Sequence, residues 1–342
     1  MSYLRLIGQR LVMLVLTLWG LATLVFFMVK LIPGDEAQIA AGPGASPAQV
    51  AAVAARLGLD APIHEQYVRF IARLLRGDLG ASILSSQPVL NDLMKVLPCT
   101  IELMAASAVI GTVLAFSAAL CANMRPGGVI DSLTRIGAIV GGGLPTFWLA
   151  LMMQYLLGTV WRIAPISGHN AFGMAAPTVT GMPTIDAVIA GNPAAFANAL
   201  RYLALPAVVL AVSFAGQAFR VLRASLLAAL ASEMVPPVRA KGASHARILV
   251  RHALPNSLVP TINVLGTLIG GMMGGVILVE TVFARRGVGT YLANAVAQKD
   301  TFAVLGTVMF IGAFVCLVNL IADIAELVVD PRLRTTAFGG HA

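Results

Sequence analysis

Six stretches of this chain contain no Asp, Glu, Lys, Arg or His: Leu11 to Val29, Leu103 to Met124, Ile136 to Trp161, Tyr202 to Phe219, Ala253 to Val279 and Thr301 to Ala322. A helix needs about 20 mainly apolar residues to cross a bilayer, and a charge near its centre is costly. The six runs predict an all-α, polytopic membrane protein with six transmembrane helices. Charged residues make up 11% of the chain, against about 25% in soluble domains, so lipid solvates most of the folded surface.

The first run follows Arg5 and Arg10, as in a secretory leader, but it exceeds the apolar length of a cleaved signal. It reads as an uncleaved first helix. With the N-terminus inside, the cytoplasmic segments hold 12 Lys and Arg residues and the external ones 11. Six of the latter (Lys30, Arg56, Arg69, Arg73, Arg76, Lys95) lie in one connection of about 70 residues, and the positive-inside rule applies to short loops. Without it the count is 12 against 5, which places both termini in the cytoplasm.

This division gives an N-terminus and first helix over 1–30, an external region over 31–102, a core of five helices over 103–329 and a cytoplasmic tail over 330–342. In the external region, Ser46-Pro47 predicts a capped helix ending at Gly58, and Pro62 a second helix running to Arg76. Ile63, Tyr67, Phe70, Ile71, Leu74 and Leu75 share one face of the second. That face serves for packing on the membrane or a neighbour, or for docking. The connection over 162–201 is rich in Gly, Pro, Ala and Asn with little periodicity, and reads as an external excursion.

Between the fourth and fifth runs lies a basic segment carrying Arg220, Arg223, Arg239, Lys241, Arg247 and Arg251. Proline costs little in a first helical turn, so Pro237 predicts a helix start. Gly242 can end that helix in the left-handed conformation and Ser244 can cap the next one. The expected product is two short helices joined by a tight turn, exposed to the cytoplasm. An ordinary positive-inside loop is the other reading.

Several chemistries are disfavoured. There is no G-x-x-x-x-G-K-[ST] loop, so the chain is expected to bind no ATP itself. The spans lack the ionisable groups of proton-coupled carriers. All five histidines (His64, His169, His245, His252, His341) lie outside the runs, which leaves no intramembrane general base. Cys99, Cys121 and Cys316 are far apart and read as packing residues, without a redox or metal role. The net charge of +8 is explained by orientation and does not point to nucleic acid, because no basic stripe interleaves with aromatics.

Motifs along nearly the whole chain carry a resemblance. They are Pro33-Gly34-Asp35, Leu57-Gly58-Leu59-Asp60, Arg76-Gly77-Asp78-Leu79-Gly80, Leu144-Pro145-Thr146-Phe147-Trp148-Leu149 and Leu205-Pro206-Ala207. Further along come Arg239-Ala240-Lys241-Gly242, Arg251-His252-Ala253-Leu254-Pro255-Asn256, Val279-Glu280-Thr281-Val282-Phe283 and Asp330-Pro331-Arg332. In this order the chain resembles the inner-membrane permease subunits of bacterial ATP-binding-cassette importers, in the dipeptide, oligopeptide and nickel branch.

The resemblance implies a type I importer permease in the bacterial cytoplasmic membrane. It implies as partners a second, homologous but different permease, two cytoplasmic ATPases that bind ATP and magnesium, and an external substrate-binding protein. The cargo would be di- or oligopeptides; a gradient-driven carrier or channel is the alternative. By resemblance, the loop over 223–255 is the segment that couples to the ATPase, through Glu233, Val235, Arg239, Ala240, Lys241, Gly242, Ala243, Ser244, Leu254 and Pro255. Relatives carry polar or small residues at Pro236 and Pro237, and isoleucine is common at His252. They often have an aromatic residue and proline where this chain has Arg285 and Arg286. Those two arginines read as solvated loop charges, or as a positive outer mouth for an acidic partner or substrate.

The family places the fifth helix beside the translocation path, which makes Gly266, Gly270, Met273, Gly274 and Glu280 candidate lining residues. For the glycines, close helix packing is the competing reading. For Glu280, the alternatives are a buried structural partner or a substrate amine.

Overall fold

The computed structural model describes residues 3–31, 36–42 and 44–329. Pro33-Gly34-Asp35, Asp330-Pro331-Arg332 and the tail over 330–342 lie outside the described residues. The described residues form helices α1 (Tyr3–Leu31), α2 (Glu36–Ala41), α3 (Pro47–Leu57), α4 (Ile63–Leu75), α5 (Val89–Met124), α6 (Val129–Gly143) and α7 (Thr146–Met153). They continue with α8 (Pro183–Ile189), α9 (Pro193–Leu230), α10 (Val235–Ala240), α11 (His245–Ile248), α12 (Leu254–Val282), α13 (Val288–Ala297) and α14 (Thr301–Val329).

Among the described residues, five single helices are long and apolar enough to cross a membrane: α1, α5, α9, α12 and α14. The third charge-free run behaves differently. Its helices α6 and α7 meet at 104° across Leu144-Pro145, so this run is a broken segment. Proline disfavours helical geometry at the residue before it, and Leu144 is extended, with ψ at 137°. Beyond α7 the chain widens into a π-type turn over Gln154–Val160, closed by Trp161 N–H donating to Leu156 O at 2.9 Å.

The described chain divides into two compact units. One lies within Met1–Pro98 and Gly287–Cys316. Here Ala22, Val25 and Phe26 of α1 join Phe70 of α4 and Leu305 and Met309 of α14 in an apolar cluster. Tyr67 and Thr23 hydroxyls share a hydrogen bond of 2.7 Å, and the Phe26 and Tyr67 rings meet edge to face at 5.4 Å. Of the predicted apolar face of α4, Phe70 is buried and Tyr67, Ile71 and Leu74 pack on the cluster, whereas Ile63 and Leu75 are exposed.

The predicted caps of α3 are present. Ser46 Oγ accepts from Gln49 N–H while the Gln49 side chain accepts from Ser46 N–H, and Gly58 ends the helix at φ 69°. Arg76-Gly77-Asp78-Leu79-Gly80 is a tight turn in which Asp78 accepts from Gly80 N–H at 2.9 Å. Its Leu79 carbonyl lies 2.7 Å from where a Cβ on Gly306 would sit. Buried Asp300 caps α14 through Ala303 N–H and accepts from Ser82 Oγ at 2.7 Å and Ile83 N–H at 2.9 Å.

The other unit lies within Cys99–Arg286 and Leu317–Ala342 and is centred on α9. Its neighbours approach to backbone contact wherever small residues allow. A Cβ on Gly216 of α9 would sit 2.6 Å from Ala138 O and 2.8 Å from Gly142 N of α6. A Cβ on Gly111 of α5 would meet Ala211 O at 3.0 Å. In lipid there is no hydrophobic force between helices, so such close fits supply the association energy. The connection over 162–201 is less featureless than its composition suggested, since α8 and the start of α9 lie within it.

Candidate functional site

The basic segment between α9 and α12 is a helical hairpin. Past the apolar part of α9 the chain turns at Ser232, whose carbonyl accepts from Val235 N–H at 3.1 Å. The helix begins at Val235, two residues earlier than Pro237 alone would give, because both prolines fit a first turn whose N–H groups have no helical partner. Gly242 closes the helix at φ +81°, donating its N–H to Arg239 O at 2.9 Å. Ser244 then caps α11, its Oγ accepting from Arg247 N–H at 3.4 Å.

Burial sorts the hairpin into an anchor and a tip. Val235, Ile248 and Leu249 are buried, while Glu233, Pro236, Pro237, Arg239, Ala240, Lys241, Gly242 and Ser244 are exposed. Ala243 and Leu254 are half-buried, and Pro255 is exposed. The hairpin thus presents a basic, proline-stiffened edge and holds itself by apolar side chains on the opposite face.

One polar tie joins α9, which leads into the hairpin, to α6, and another anchors the hairpin itself. Arg223 of α9 forks onto Asp131 of α6 through Nε at 2.8 Å and Nη2 at 2.9 Å, and Asp131 also accepts from Gly127 N–H. His245 bonds through Nε2 to the carbonyl of Asn123 at 2.8 Å, near the end of α5. Neither partner was legible in the sequence, where Arg223 counted only as one of several loop cations.

Between α11 and α12 the helix widens over Leu249–Ala253, where Leu254 N–H reaches back five residues to Leu249 O. Pro255 follows at once. A proline crowds the carbonyl four residues before it, here that of Arg251, and the widened turn falls on that residue. Such turns insert one residue without ending the helix.

On α12, Gly270 abuts Asn319 and Gly266 abuts Ala322, both on α14, while Met273 and Glu280 are buried. Of the five candidate lining residues, Gly274 alone is exposed, and a Cβ there would meet nothing within 4 Å. The exposed stripe comprises Thr267, Gly271, Gly274 and Leu278. It is offset by one residue from the inward face of Gly266, Gly270, Met273 and Glu280, which is about 100° around the helix.

At the far end of α12 a buried ionic cluster departs from the loop-charge reading of Arg285 and Arg286. Arg286 is exposed, but Arg285 is buried and donates through Nη2 to Glu102 of α5. Glu102 also accepts from Thr184 N–H at 2.7 Å and Thr184 Oγ1 at 2.5 Å. Glu280, fully buried, accepts from Thr100 Oγ1 at 2.7 Å. The turn that aims Arg285 inward runs through Ala284 at φ 45°, a left-handed conformation costly for a residue with a Cβ.

The neighbouring loop hangs on a second carboxylate. Asp186 accepts from Thr180 N–H at 2.6 Å, Thr180 Oγ1 at 2.7 Å and Gly181 N–H at 3.1 Å. Burial alone would raise its carboxyl pKa, but these hydrogen bonds to the ionised form win and hold it below the usual range. Among the described residues, no group of three or more His, Cys, Asp or Glu is placed to hold a metal ion.

Residues 111–335 match the model of the "binding-protein-dependent transport system inner membrane component" family, and residues 3–104 match the N-terminal model of such membrane components. The chain is 36% identical over 334 residues to the probable D,D-dipeptide transport system permease protein DdpB of Escherichia coli K12, covering 97% of this chain and 98% of that one. It is 34% identical to the dipeptide transport system permease protein DppB of the same organism, over 97% and 99% of the two chains. With the di/tripeptide transport system permease protein DppB of Pseudomonas aeruginosa the identity is 31%, over 96% and 98%.

Proposed function

This chain belongs to the binding-protein-dependent transport system inner membrane component family, and from that premise we propose that it carries peptides through the membrane as one permease subunit of an ATP-driven importer. Relatives similar over almost their full length are dipeptide and di/tripeptide permeases by name, which favours short peptides as cargo. Both termini face the cytoplasm in this reading, as the short-loop charge count favours.

The observation that carries the mechanism is the hairpin α10–α11, with an exposed basic edge and an apolar, hydrogen-bonded base. Glu233 through Ser244 dock on a cytoplasmic ATPase, and Leu254-Pro255 pass the displacement into α12. Because His245 ties the hairpin to α5, and Arg223 joins α9, from which the hairpin leaves, to Asp131 of α6, tip movement is transmitted to several helices together. ATP and magnesium reside in the ATPases, two per assembly, and an external binding protein delivers the peptide. A second, different permease completes the path, to which this chain contributes the stripe of α12 carrying Gly274; Gly266, Gly270, Met273 and Glu280 form its supporting face.

The test is a gentle detergent pull-down of tagged protein from native membranes, with co-purifying chains identified by mass spectrometry. The proposal expects phosphate-loop ATPases and a second multi-span permease, with the ATPases lost on substitution of Gly242. Recovery of correctly inserted chain alone would point to a gradient-driven carrier.

A further inference from the structure

A cavity of about 440 Å³ lies in the first unit between the end of α1, helices α3 and α4 and the start of α14. Four of its lining residues are cations: Lys30, Arg69, Arg73 and Arg76. Among the described residues none that lines it is a carboxylate, and its apolar wall includes Phe26 and Phe302. Lys30 lies 5.9 Å from the Phe26 ring centre and the Arg73 guanidinium 5.9 Å from that of Phe302. Arg69 forms an exposed ion pair with Glu65 at 3.2 Å, a contact worth little at a surface.

We propose that this cavity binds the phosphate headgroup of an anionic phospholipid. Arg73 and Arg76, with Arg69 beside them, gather positive charge on one cavity and favour an anion there, and arginine forks match phosphate oxygens two at a time. The depth is right for a lipid. Lys30 is the first charge after the apolar run of α1, and so marks the level where hydrocarbon gives way to headgroups. The aromatic and aliphatic part of the lining suits the first methylenes of an acyl chain. A soluble anion would use the cations and leave that wall bare.

The site concerns the lipid around the permease and stands whether or not peptides are the cargo. The test uses the full chain, in its purified assembly, in nanodiscs of phosphatidylcholine with a minor fraction of phosphatidylglycerol, read by native mass spectrometry after partial delipidation. The wild type should retain phosphatidylglycerol over phosphatidylcholine. Arg73→Gln with Arg76→Gln should weaken that retention about tenfold or more, since each contact to a charged group is worth at least that factor. Arg76→Gln alone, at an exposed position, should weaken it less and serves if the double variant does not insert.

Equal retention of the two lipids, or retention unchanged in the variants, would overturn the proposal. Displacement of the lipid by low millimolar inorganic phosphate would assign the cavity to a free anion instead. Variants that keep the lipid but lose affinity for an acidic binding protein would make it a protein docking surface.

Discussion

Arg285 and Glu102 form an ion pair across 183 residues of sequence, with side chains 1% and 5% exposed. The pair ties the end of α12 to α5, and Thr184 ties the start of α8 to the same carboxylate. Removing one partner of a buried pair strands the other charge at a cost of about 3–5 kcal/mol. Arg285→Ala should therefore lower the unfolding temperature of the detergent-solubilised protein markedly. The double change Arg285→Leu with Glu102→Leu should recover part of the loss, and thermal melts of the three proteins check the ordering.

Gly242→Pro should leave the chain inserted and break the link between ATP hydrolysis and uptake. Proline fixes φ near −65°, whereas this position sits at +81° and donates its N–H to Arg239 O. A coupling free energy of about 1–3 kcal/mol corresponds to 5- to 150-fold, the range expected for the fall in uptake per ATP hydrolysed. Reconstituted vesicles with labelled peptide measure it, and unchanged uptake would sink the coupling role.

Arg223→Leu should loosen the base of the same hairpin without touching its tip. Asp131 would remain buried with only Gly127 N–H donating to it, at a cost of about 3 kcal/mol. Hydrogen exchange should then speed up over Gly127–Asp131 and in the last turns of α9, while the buried middle of α9 stays protected.

The loop held by Asp186 should open in acid. Its folded pKa lies below the unfolded value near 3.8, so the carboxylate contributes stability above pH 3.8 that is lost as pH falls through the lower folded value. The protection of the Thr180 and Gly181 amides, relative to intrinsic exchange at each pH, should fall below that point and stay flat from pH 5 to 8. Asp186→Asn should show fast exchange across the whole range.

Local features of the fold were readable in the sequence because their causes are local. Ser46 and Gly58 bracket α3, and Gly242 and Ser244 shape the hairpin, through bonds within a few residues. The break at Leu144-Pro145 was hidden because counting charges measures the length of an apolar run and carries no information about its direction. Arg285 and Arg286 are indistinguishable as adjacent letters, and what separates them is Glu102, a partner far away in sequence. Likewise the exposed face of α12 depends on which neighbours meet Gly266 and Gly270, and periodicity alone leaves that phase undetermined.

The widened turn over Leu249–Ala253 is, in effect, an angular offset written into the chain. Each residue advances a regular helix by about 100°, so the extra residue in this turn sets the direction in which the hairpin leaves the axis of α12. Deleting Val250 would keep every buried anchor and every exposed cation in the chain, yet swing the hairpin about a quarter of a revolution around that axis. The proposed docking, in such a variant, would fail by aim alone.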